Sequence, residues 1–153
     1  VPTGLPSVST NDAIGGQYFY VEVKGTSIAQ FMECSGLTSE IELITIKEND
    51  VKGKPVIKYL PGARKAPTIT LKRAKSVSMD MYEWHKKMLD GKVKEARREA
   101  SIVLLDPEHS EVSRYNLFDA WVSKITISGL KAFSTEVAVE EATIVCERFE
   151  RVK

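Results

Sequence analysis

The chain has 153 residues, with 22 Lys plus Arg against 21 Asp plus Glu and a formal net charge of +1. The length fits one domain with a sizeable core, and the charge balance speaks against a generic nucleic-acid binder and against a charged disordered tail. Near neutrality also weakens the self-repulsion that keeps monomers apart, a first hint of self-association. No run approaches 18 apolar residues, so no transmembrane helix is expected. The first ten residues lack the basic and apolar regions of a signal peptide. Cys34 and Cys146 lie in apolar runs and read as free thiols. With His85 and His109 as the two histidines, a structural zinc site has no ligand set, and no cofactor is expected.

Residues 1–16 are rich in Pro, Gly, Ser and Thr and read as an arm that is flexible or docked on a partner; the domain proper is 17–153. From Gln17 to Lys24, Phe19, Val21 and Val23 share one face and Tyr18, Tyr20 and Glu22 the other, the period of a strand. A turn at Gly25-Thr26-Ser27 leads to a second strand, Ile28 to Ser35. A third strand is expected from Thr38 to Lys47, about ten residues and roughly 33 Å long. Ile41 and Leu43 take one face and Ile44 and Ile46 the other, which implies a bulge, a twist or a change of environment. Glu48-Asn49-Asp50-Val51-Lys52-Gly53 is a polar turn and Lys54 to Leu60 returns. The hairpin of about 38–60 either protrudes beyond the core or is an ordinary solvated hairpin. Leu60 to Pro67 reads as a basic, turn-rich loop with a type II turn at Pro61-Gly62, and Thr68 to Arg73 as a strand.

At Ser76 the period changes. Met81, Trp84 and Met88 recur at helical spacing, and a helix of about 76–90 is expected, with Ser78 as N-cap and Gly91 closing the C-terminus. Lys92 to Arg98 is a basic connector. Ala100 to Leu105 is a strand, residues 106–110 are a turn, and Arg114 to Ile127 forms two strands or one bent strand. A connector at 129–134 leads to a long last strand, Glu136 to Phe149. The sum is mainly β: a single-domain β-sandwich or barrel with one α-helix.

Chemistry is sparse. No GxSxG, HExxH, P-loop or GxGxxG motif occurs. A Cys34–His85 nucleophile pair has no local support. Glu140 and Glu141 are neighbours on a strand, so they face opposite sides and cannot share one substrate atom. The basic stretches Arg64-Lys65, Lys72 to Lys75 and Lys92 to Arg98 read as solvated surface or as salt-bridge partners rather than as a phosphate-binding face. The chain is not expected to be an enzyme.

Several segments fall into one ordered pattern. FMECSGL from Phe31 to Leu37, followed by Glu40 and Glu42, resembles the F-x-E-V-S-G-L…E-x-E signature of T4-like phage tail tube proteins. Leu60-Pro61-Gly62 with ITLKR from Ile69 to Arg73 resembles their LPG…ITLKRG segment. Trp84 matches their helical F-x-x-W. Arg97-Arg98 with SIVLLD from Ser101 to Asp106, Ala120-Trp121 with Lys124, and EVAVE from Glu136 to Glu140 continue the series to about residue 150. Ala74 stands for a usual Gly, Val122 for a usual Pro, and Cys146 for a usual His.

The resemblance implies a structural protomer. Six-subunit rings would stack into a hollow tube inside a contractile sheath, with baseplate and cap proteins as further partners. Effector protein or DNA would pass through the lumen, without membrane insertion by this chain and without sequence-specific nucleic-acid binding. Such particles would be assembled in the bacterial cytoplasm, as part of a phage tail or a phage-tail-like particle. On this reading Glu48, Asn49, Asp50, Val51, Lys52 and Gly53 form the ring-stacking tip. Pro61, Gly62, Arg64, Lys65, Arg97 and Arg98 lie in subunit-interface loops, and Glu40, Glu42 and Glu140 are candidates to face the lumen. Acidic residues at 40–42 and 136–141 and basic ones at 64–75 and 92–98 would meet head to tail between identical subunits. The alternative is a monomeric β-sandwich that binds a sugar or peptide ligand.

Overall fold

Among the described residues, alternating apolar positions build ten strands, and one helical stretch interrupts them. The computed structural model describes residues 13–153 apart from 25, 29 and 30, with the backbone alone at 26–28. Most of the expected arm lies outside the described residues. The strands are β1 Phe19–Val23, β2 Thr26–Ile28, β3 Glu33–Ser35, β4 Glu40–Asn49, β5 Pro55–Lys65, β6 Thr68–Ala74, β7 Arg98–Leu105, β8 Glu111–Ser128, β9 Val139–Val145 and β10 Arg148–Arg151. The helices α1 Asp80–Leu89 and α2 Val93–Ala96 lie between β6 and β7.

The main sheet runs β2-β1-β7-β8-β9-β6-β3, with β10 also paired to β8. Inward residues of β1, β6, β7, β8 and β9 meet in one core cluster that includes Val21, Leu71, Ile102, Leu117 and Ile144. The sheet therefore curls around a shared interior, as expected for a barrel-like domain. Strand β8 makes the curl possible. It is one bent strand of 18 residues. Arg98 pairs with Ala120 but Ala100 with Leu117, so β8 carries an extra residue there, and Asp119 sits at φ 54°. A second irregularity falls between Val122 and Lys124. Such bulges sharpen bend and twist. They let β8 pair with β7 through its first half and with β9 through its second.

Several boundaries differ from the sequence reading. The expected strand from Ile28 to Ser35 is divided: β2 pairs with β1 and β3 with β6, at opposite ends of the sheet. The expected strand from Glu136 to Phe149 begins only at Val139 and breaks at Cys146-Glu147, where the Glu147 N–H donates to the Phe118 carbonyl. The basic connector holds the short helix α2. The turn at 106–110 is as expected: the Asp106 carboxylate accepts the Ser110 N–H at 2.8 Å.

Helix α1 buries Met81 and Trp84. Trp84 Nε1 donates to the Ala96 carbonyl at 2.6 Å, which ties α1 to α2. Gly91, at φ 77°, closes the helix: its N–H bonds the Met88 carbonyl and the Lys92 N–H bonds the Lys87 carbonyl, a Schellman arrangement. The N-terminus differs from expectation. Met79 occupies the cap position without a side-chain bond. Asp80 instead accepts the Met81 N–H at 2.7 Å and the Arg73 Nη2 at 2.6 Å. Arg73 also donates from Nε to Glu140 at 3.1 Å, and its guanidinium lies 5.7 Å from the centre of the Phe31 ring.

Arg73 is 5% and Glu140 3% exposed, so removing Arg73 strands the Glu140 carboxylate, at a cost of about 3–5 kcal/mol. Arg73→Met is expected to lose about that much in urea unfolding followed by circular dichroism; a loss below about 1 kcal/mol would show the pair to be dispensable. Burial alone would raise the Asp80 carboxyl, but the bonds to Arg73 and to the Met81 N–H outweigh it and hold the group below its usual value. A depressed aspartate stabilises the fold above its unfolded pKa, about 3.9, and loses that contribution as pH falls through the folded value. Wild-type stability is therefore expected to drop below about pH 4 more steeply than that of Asp80→Asn.

Candidate assembly surfaces

Strands β4 and β5 form a two-stranded sheet that no other described strand joins. Opposite residues fix its faces: Ile44 pairs with Leu60 and Ile46 with Lys58 on one, Leu43 with Pro61 and Thr45 with Tyr59 on the other. Both faces are apolar and open. Leu43 is 70%, Tyr59 65%, Ile57 54% and Ile44 49% exposed. The change of face between Leu43 and Ile44 is thus ordinary strand alternation in a hairpin with no inside. A two-stranded hairpin alone in water is at best marginal.

The expected interface loop at Pro61, Gly62, Arg64 and Lys65 is a continuation of β5. Ile41 pairs with Arg64 but Leu43 with Pro61, so β5 bulges by one residue at Gly62-Ala63. A Cβ on Gly62 would lie 3.0 Å from the Glu42 carbonyl oxygen, and the glycine lets the bulged strand approach β4. Proline is tolerated here because the strand is at an edge. The tip is also shorter than expected. Glu48 and Asn49 belong to β4, and the turn is built by Asp50, whose carboxylate accepts the Lys52 and Lys54 N–H groups at 2.8 and 2.9 Å. Val51 stands fully exposed at the apex, with Gly53 at φ 78°. Arg98 begins β7 rather than lying in a loop, while Arg97 stays exposed and pairs with Glu147 at 3.4 Å.

The three lumen candidates separate. Glu40 and Glu42 are exposed at the hairpin root, each 3.8 Å from Lys65. Glu140 is buried against Arg73, so it cannot face a lumen. Strand alternation places Glu141 outward instead. Register then aligns Glu33, Lys72, Glu141 and Thr126 in one row across β3, β6, β9 and β8, and Ser35, Thr70, Thr143 and Lys124 in the next. The result is a polar sheet face with two carboxylates and two ammonium groups, and Lys72 lies 3.9 Å from Glu33. Sequence reading missed this face because it needs the cross-strand register.

No catalytic pairing forms from the residues considered. Cys34 is held in β3 against the core, and burial pushes its thiol up to about 11. His85 Nδ1 is 2.8 Å from the Val122 carbonyl oxygen, which only accepts, so that nitrogen carries the proton. Among the described residues no group of His, Cys, Asp or Glu is placed to hold a metal ion.

The family model of the T4-like virus tail tube protein gp19 matches residues 16–150. The chain belongs to this family. The tube terminating cap of the anti-feeding prophage shares its fold at 25% identity, with a TM-score of 0.75 over 97% of this chain and 96% of that one. The sheath-tube complex of the extracellular contractile injection system PVC in its extended state holds a chain that is 24% identical, with a TM-score of 0.75 over 95% and 99%. Hcp1 from Flavobacterium johnsoniae is similar at 13% identity and a TM-score of 0.55, over 88% and 94%. No curated protein matches the sequence.

For a tail tube protein the exposed hairpin is the feature to test first. Leu43→Ser alters a side chain that touches solvent, so its unfolding free energy is expected to stay within about 0.5 kcal/mol of wild type. Its self-association at high concentration, read by light scattering, is expected to fall. A Leu43→Ser protein that unfolds much more easily would show that the hairpin face is packed.

Proposed function

We propose that the protein is the protomer of a hollow inner tube of stacked six-membered rings, enclosed by a contractile sheath. Cargo, protein or DNA, passes through its lumen. The observation that carries this reading is the β4–β5 hairpin, apolar on both faces and covered on neither among the described residues. Membership of the tail tube family and likeness to a chain of a sheath-tube complex agree with it. On this reading the sheath, baseplate and cap are its partners, and the particle is assembled in the bacterial cytoplasm. The work is mechanical: sheath contraction drives a stiff tube, and the chain supplies stiffness through continuous β-structure. The polar face of Glu33, Lys72, Glu141 and their neighbours is the wall offered to cargo, in place of Glu140, with Glu40 and Glu42 beside it at the hairpin root. Asp50 and the residues to Gly53 form the ring-stacking tip, and Arg97 stands at a subunit contact.

Negative-stain microscopy of the purified protein is expected to show rings or tubes. Replacing residues 50–54 by a two-residue Asn-Gly turn is expected to leave the circular dichroism spectrum intact and to yield rings that no longer stack. A protein that stays monomeric at high concentration, even with its sheath and baseplate partners, would favour a ligand-binding module instead.

A further inference from the structure

A second apolar surface, uncovered among the described residues, lies beside α1 beyond the C-terminal end of β6. Val77, Met79, Tyr82 and Leu89, with Ile125 and Ile127 of β8, line a hollow of about 390 Å³. Val77 is fully exposed, and Met79, Leu89 and Tyr82 are 56%, 65% and 45% exposed. Its floor is formed by β8 together with the buried Glu140 of β9, and it adjoins a sheet edge. β7 leaves β8 at Ala120, and beyond that point, among the described residues, no strand pairs with the side of β8 opposite β9. His85 caps one backbone group of that side, the Val122 carbonyl. The site therefore offers apolar side-chain contact along α1 and unpaired backbone groups along β8. A β-strand with an open edge and an apolar face satisfies both.

The hairpin of a second copy has those properties. Among the described residues both of its edges are unpaired, and both faces are apolar. Its position is complementary as well. β5 passes into β6 through Ala66-Pro67, and β6 runs from Thr68 to Ala74, next to Lys75 at the rim of the hollow. Seven strand residues span about 23 Å, so donor and acceptor sit at opposite ends of one strand. Two different surfaces at opposite ends define a head-to-tail contact, which repeats rather than pairing off.

We infer that the groove between α1 and the free edge of β8 is the acceptor for the β4–β5 hairpin of a neighbouring copy. The inference rests on the tube reading and adds the partner surface that reading leaves open. It is tested by placing a photo-reactive benzoyl-phenylalanine at position 59, in place of the exposed Tyr59, and mapping subunit cross-links in tubes first verified by microscopy. Cross-links into residues 75–89 or 123–128 are expected. Intact tubes whose cross-links map elsewhere, for example to β3, would overturn the inference and leave the tube reading standing. Native protein that forms no tubes removes the tube reading and the inference with it. An independent variant, Tyr82→Glu, puts a charge into the groove on a side chain with little part in the core. It is expected to keep the monomer's spectrum and to lower the yield of tubes about tenfold or more. Unchanged assembly of Tyr82→Glu would also overturn the inference.

Discussion

The guanidinium of Arg73 is the point on which the subunit's architecture turns. It is buried on β6 and reaches β9 through Glu140 and the first turn of α1 through Asp80. A buried cation needs such partners, because an unpaired one costs several kcal/mol. Three elements distant in sequence are thereby held in one arrangement. Glu140 is drawn inward, and the two-residue period of β9 then commits Glu141 to the outer face. Asp80 anchors the start of α1, which leaves Tyr82 and Leu89 on the open side of the helix beside the second half of β8. The polar sheet face and the apolar groove thus both follow from one ion-pair cluster.

What the subunit satisfies internally and what it leaves open differ in kind. Several of its charges are paired within the chain: Lys65 with Glu40 and Glu42, Lys72 with Glu33, Arg73 with Glu140, Arg97 with Glu147. The basic stretch of 64–75 therefore meets part of its acidic complement within the chain. Exposed pairs of this sort contribute little energy and are screened by salt. Apolar side chains and strand edges are what remain unsatisfied. Burial of apolar area is favourable but not directional, whereas edge pairing fixes register. A surface that offers both has the strength and the geometry for a regular polymer.

Much of the fold was legible in the residues. Alternation in Phe19 to Val23 and in Ile69 and Leu71, the helical spacing of Met81 and Trp84, and the closing Gly91 all report local rules, and each appears in the structure. The long hairpin was legible because β4 has too many apolar positions for one buried face. Errors gathered where local signals compete with pairing. Pro61-Gly62 reads as a turn, yet β4 opposite it holds the segment extended and the extra residue is absorbed as a bulge. Ser78 is a good cap residue, but the helix starts at Asp80, whose carboxylate is held by Arg73, and Met79 takes the cap position.

The sequence by itself determined a β-rich tail tube domain with one main helix and a long hairpin whose place relative to the core it left open. Those properties depend on residue types and short spacings, which the chain carries along its length. The tertiary structure decided which of two adjacent glutamates is buried, where β8 bends and which sheet edge stays open. It also aligned Glu33, Lys72 and Glu141 in one row. These depend on cross-strand register between residues far apart in the chain, such as Thr68 and Val145, set by the joint packing of the core and the Arg73 cluster. No local pattern encodes that register, because a shift of one residue leaves the alternation in each strand unchanged while exchanging its faces.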